Sequence, residues 1–76
     1  MYTRWLYTHM TNPIENIEIR HYKCGHYYVR KFLSIMQGKY IVDVFPFQRI
    51  KKDKLIELLE HYMLYECEAT DKNENK

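Results

Sequence analysis

Between Asn12-Pro13 and Gly25 the chain reads IENIEIRHY, and from Ile17 onward apolar and polar side chains alternate. A period of two places Ile17 and Ile19 on one side of an extended segment and Glu18 and Arg20 on the other, as in a half-buried strand. The residue before a proline is pushed out of the helical region, so Asn12-Pro13 marks where this segment starts. Gly25 falls where the chain must reverse. His26 to Met36 is again β-branched and aromatic, Gln37-Gly38 is a second turn signal, and Lys39 to Phe45 (KYIVDVF) is a third strand. Pro46, which cannot donate to a ladder, ends it.

Turn lengths predict the registers. A three-residue loop at Lys23 to Gly25 sets Ile19 opposite Val29 and Glu18 opposite Arg30. A two-residue turn at Gln37-Gly38 sets Leu33 opposite Val42, Ile35 opposite Tyr40 and Arg30 opposite Phe45. One face then carries Ile17, Ile19, Val29, Leu33, Ile35, Val42 and Val44 as a core floor. The other carries Arg20, Tyr22, Tyr28, Arg30, Phe32, Ile41, Asp43 and Phe45.

After Pro46 the period changes to 3.6. Leu55, Leu58, Leu59 and Tyr62, widened by Ile56 and Met63, form a helical stripe, with Asp53 at its start and its end near Ala69. Residues 1–11, MYTRWLYTHMT, suit an extended segment or edge strand. The fold class expected is therefore α+β: a three-stranded antiparallel meander, with a fourth strand on offer from the N-terminus, packed against one C-terminal helix of about fifteen residues. Residues 1–69 read as one small domain, and residues 70–76 (TDKNENK), which contain nothing apolar, as a disordered polar tail.

At 76 residues the chain buries only about 60 to 65% of its unfolded surface, so a binding face is easier to build than a deep cleft. Charge is unevenly placed. Residues 1–54 carry ten Lys and Arg against four acids, a net of +6, and residues 55–76 carry two against six, a net of −4. Two cysteines without a dense framework or a leader-like opening read as reduced thiols in a cytoplasmic protein, and no apolar run reaches bilayer length.

One helix covers one side of such a sheet. The uncovered face must meet water, the Trp5-Leu6-Tyr7 segment, a second copy or a partner. The partner-binding residues read from this pattern are Arg20, Tyr22, Tyr28, Arg30, Phe32 and Phe45, with Leu64 and Tyr65 as anchors among the acids of the helix. Eight tyrosines favour interfaces, because tyrosine joins an apolar body to a polar tip. The alternative set, for DNA or RNA, is Arg20, Lys23, Arg30, Lys31 and Lys39 on phosphates, with the rings stacking on bases.

Other chemistries are thinly represented. His21, Cys24 and His26 form a His-x-x-Cys-x-His cluster, half of what a structural zinc site needs. A cysteine in a tight turn has neither enclosure nor oxyanion donors, and two isolated glycines make no phosphate cradle. The expectation is a protein without enzymatic activity, metal or cofactor.

Through Gly25, Tyr28 and Val29 the stretch GHYYVRKF resembles the strand signature of RNA-recognition-motif domains, which implies base stacking on a sheet. Tyr27 stands where that pattern has a small residue and Lys31 where it has an aromatic, and the order of helices and strands differs. A sheet backed by a C-terminal helix is also similar to the arm-binding domains of tyrosine integrases, which enter the major groove. In style the chain looks like small accessory proteins of phages and mobile elements. That likeness implies an inhibitor or adaptor that occupies the surface of a host protein, including defence enzymes.

Overall fold

The computed structural model describes residues 2–35 and 40–69. The Gln37-Gly38 turn, Lys39 and the 70–76 tail lie outside the described residues.

Six strands and one short helix follow in the order β1 (Tyr2–His9), β2 (Glu15–Tyr22), β3 (Tyr27–Ile35), β4 (Tyr40–Val44), β5 (Gln48–Ile50), α1 (Lys52–Leu59) and β6 (Tyr62–Ala69). All six strands join one antiparallel sheet in the order β4-β3-β2-β1-β6, and β5 continues along the same edge of β3 that β4 occupies. This overturns the three-stranded meander backed by a C-terminal helix: the described residues are mostly sheet, with a single helix of eight residues.

The correction has two physical sources. Tyr2–His9, expected as part of an edge segment, are interior to the sheet, because β1 pairs with β2 on one side and β6 on the other. They lie in the plane of the sheet, so Trp5 and Tyr7 cannot fold across its open face. Helix α1 stops at Leu59, where Glu60 N–H and His61 N–H turn back onto the carbonyls of Glu57 and Leu58. The following YMLYECEA is rich in strand-forming side chains and alternates at Tyr65-Glu66-Cys67-Glu68. Its ladder with β1, running from Thr3↔Ala69 to His9↔Tyr62, overrides the helical stripe. Asp53 lies in the first turn of α1, where its Oδ1 accepts the N–H of Lys54.

The first hairpin forms as its spacing predicts. Ile19 pairs with Val29 and Glu18 with Arg30. Gly25 N–H donates to the Tyr22 carbonyl, Tyr22 N–H to that of His26, and Gly25 has φ +100°, a region its missing Cβ opens. The second hairpin departs from expectation. Ile35 does face Tyr40, but a bulge between Leu33 and Ser34 slips the remainder by one residue: Leu33 faces Asp43, Phe32 faces Val44, and Phe45 N–H reaches the Lys31 carbonyl. One residue of slip exchanges the faces. Val44 therefore lies beside Phe32, while Phe45 and Asp43 move to the other side.

Helix α1 leaves β5 at one end of the sheet and delivers the chain to β6 at the other. Eight residues span about 12 Å, against about 19 Å for four strand spacings. The helix therefore covers the middle of one side, and β4 remains bare on both. Leu55 of α1 joins Ile17, Ile19 and Tyr62 of the sheet in the core, flanked by Trp5, Tyr7, Val29 and the helix's own Leu58. Burial of such side chains contributes about 1.5 to 3 kcal/mol each. The Tyr62 hydroxyl donates to Glu15, and burial together with that carboxylate pushes its pKa well above the usual tyrosine value.

Candidate interaction face

Strand alternation sends Glu18 to the side opposite Ile17 and Ile19, away from α1. Its carboxylate is 1% exposed and is held by three guanidinium groups. Arg4 Nε donates to Oε2 at 2.8 Å and Arg20 Nε to the same oxygen at 2.9 Å. Arg30 Nε donates to Oε1 at 2.9 Å, with its Nη2 at 2.7 Å. Register explains the convergence: Arg30 is directly opposite Glu18, while Arg4 and Arg20 face each other across β1 and β2, Arg20 two residues along β2. Burial alone would raise the Glu18 pKa, but the hydrogen bonds from Arg4, Arg30 and Arg20 outweigh it and hold the carboxyl below its usual range.

Arginines organised in this way become a platform. Arg20 lies 4.6 Å from the centre of the Tyr2 ring and 4.5 Å from that of Phe47, and Arg30 lies 4.7 Å from Phe47. Tyr22 sits 5.0 Å from Tyr2 and meets Tyr28 edge to face at 5.5 Å. Tyr22, Tyr28, Phe47 and Cys24 line a shallow apolar trough next to these cations. Each of the three arginine side chains remains 24 to 28% exposed. Arg4 Nη1 also reaches Glu68 at 2.6 Å. Three cations against Glu18 and Glu68 leave this group with a net charge of only about +1.

Four of the eight partner-binding residues expected from sequence come together here: Arg20, Tyr22, Tyr28 and Arg30. Phe32 points to the same side but is buried at 5% exposure, so it supports the sheet rather than meeting a partner. Phe45, turned over by the bulge, lines a groove with Ile17, Val29, Leu58 and Tyr62 beside α1. Leu64 is exposed and pairs with Tyr7, which packs on the helix-side core. Tyr65 sits in the β6 irregularity, half-buried, with a hydroxyl that has no partner among the described residues. Neither belongs to an acidic helix: Glu66 and Glu68 lie on β6.

Of the alternative set, Arg20 and Arg30 share the platform and Lys23 projects from the adjacent turn. Lys31 is on the other side, 3.7 Å from Glu15, and Lys39 lies outside the described residues. His21 stacks on Tyr27 at 4.1 Å, whereas Cys24 lines the trough. Among the described residues no three His, Cys, Asp or Glu side chains gather as metal ligands. No helix of the described residues is long and apolar enough to cross a membrane.

Sequence reasoning missed Arg4, Tyr2, Phe47 and the central place of Glu18. The period-two spacing of Tyr2 and Arg4 was legible, but their neighbours across β1 were not. Comparison with protein-family models, curated proteins and solved structures finds no match to this chain.

Proposed function

We propose that this chain is a small non-enzymatic protein-binding module, an inhibitor or adaptor of the phage and mobile-element type that occupies a surface on its partner through the helix-free face of the sheet. The observation that carries this reading is Arg20, clamped between Tyr2 and Phe47 with its Nε on a buried carboxylate. Tyrosine and arginine are the residues on which binding energy concentrates, and side chains already ordered before contact lose less entropy when they bind. The cluster of Arg4, Arg20 and Arg30 is nearly neutralised by Glu18 and Glu68 and the Nε of each is committed to Glu18, which suits a mixed apolar and polar protein surface better than a polyphosphate.

Sheet-based binding of DNA or RNA is favoured by one feature, the half-buried rings of Tyr22 and Tyr28 that line the trough beside the exposed Lys23 and Arg49. Nuclease-treated capture experiments distinguish the two. The protein reading expects one specific protein, retained after nuclease, recovered by the wild type and by Lys31→Ala, and lost with Tyr28→Ala combined with Phe47→Ala. Capture that vanishes with nuclease, together with a mobility shift of single-stranded oligonucleotides that weakens steeply with salt, overturns it in favour of nucleic acid.

A further inference from the structure

Two cations that Glu18 does not hold border the trough beside the arginine cluster. Arg49 is directly opposite Tyr28 across β3 and β5, which puts it on the helix-free side, and Lys23 lies between Tyr22 and Cys24, both of which line the trough. Each is exposed, and among the described residues neither forms an ion pair. Together with Arg4, Arg20 and Arg30, against Glu18 and Glu68, they bring the local net charge to about +3. The acids of β6, Glu66 and Glu68, do not offset them. Three strand spacings separate β6 from β3, about 14 Å, more than the ~8 Å over which charge acts through physiological salt.

Ring geometry selects what enters between these cations. Tyr22 and Tyr28 meet at an interplanar angle of 87° and Tyr2 and Tyr22 at 51°, so the rings form a notch rather than a flat platform for successive bases. The guanidinium of Arg20 lies over the rings of Tyr2 and Phe47, and that of Arg30 over Phe47, which occupies ring faces on which a base would stack. An apolar side chain needs no parallel ring face and fits such a notch.

Resting on the protein-binding reading above, we infer that the partner presents an acidic segment in which an apolar side chain is flanked by carboxylates. The apolar side chain enters between Tyr22, Tyr28 and Phe47, and the carboxylates meet Lys23 and Arg49. The buried ion cluster around Glu18 stays intact on binding, because the two cations that face the acids are not part of it. Charge complementarity then excludes basic partners as well as selecting acidic ones.

Fluorescence anisotropy with short labelled probes provides the test: a peptide with a central Phe between aspartates, the same peptide with asparagines for the aspartates, a lysine-flanked version, and a thymidine oligonucleotide matching the charge of the aspartate peptide. Wild type should bind the aspartate peptide about tenfold or more tightly than any of the others. Lys23→Glu combined with Arg49→Glu should reverse the preference toward the lysine-flanked peptide, with unchanged far-UV circular dichroism because both positions are exposed. No preference for the aspartate peptide, tighter binding of the oligonucleotide, or a preference indifferent to the charge reversal would each overturn the inference. A protein that is captured after nuclease through Tyr28 and Phe47, and still captured by the charge-reversed variant, overturns the acidic class alone and leaves the protein-binding reading standing. Capture that vanishes with nuclease removes both.

Discussion

Strand β2 presents two kinds of stability on its two sides. Toward α1, Ile17 and Ile19 are held by apolar burial, which has no direction and tolerates repacking. Away from it, Glu18 is equally hidden from water, but it is held by directional bonds to Arg4, Arg20 and Arg30. Losing a methyl group on the first side leaves a small void. Losing the carboxylate on the second leaves three cations crowded with only the exposed Glu68, on Arg4, as a counter-charge, so the polar side is the more brittle. The same directional bonds hold the three arginines in fixed positions.

The largest effect should come from Glu18→Ala, about 4 kcal/mol of stability by urea unfolding, in the range for removing one member of a buried ion pair. A loss under about 1 kcal/mol would mean the network is solvated and contributes little. Ile19→Ala on the opposite side should cost about 3 kcal/mol, and Ile19→Val about 1 kcal/mol. If conservative changes are tolerated at Ile19 and not at Glu18, where Glu18→Gln should cost more than Ile19→Val, the contrast between the two sides holds.

Acid sharpens the comparison further. The folded-state pKa of Glu18 is depressed, so its contribution is complete above the unfolded glutamate value of 4.5 and is lost as pH falls below that value through the folded one. Unfolding free energy measured from pH 6 downward should decline in this window, and Glu18→Gln should remove that part of the decline. Gly25→Ala, which forces a Cβ into φ +100° at the turn joining the two strands, should cost about 1 kcal/mol. Arg49→Ala, an exposed cation that no bond ties to Glu18, should change stability by less than about 0.5 kcal/mol.

How far each part was legible follows from the range of the interactions that make it. The β2–β3 register is local: a short loop with glycine at its positive-φ position, and a matched Glu18-Arg30 pair a few residues away. The β3–β4 register looked equally local, but the bulge beside Leu33 carries no residue signature, and it moved Phe45 off the expected face. Tyr62 to Ala69 continued a helical stripe that began at Leu55. Only the free edge of β1, more than fifty residues earlier in the chain, turns that run into a strand.

By itself the sequence determined the alternation in β2, the reversal at Gly25, the start of a helix near Asp53, and a surface where Arg20, Tyr22, Tyr28 and Arg30 lie together. Side-chain periodicity and turn chemistry act within a few residues, and these features need nothing more. Tertiary structure decided that β1 is interior to the sheet, that β6 is a strand, that Glu18 is the hub of three arginines, and that β4 is left bare. Each of these depends on which distant segment supplies hydrogen-bond partners or countercharges, a choice made by the free energy of the whole sheet rather than by local preference.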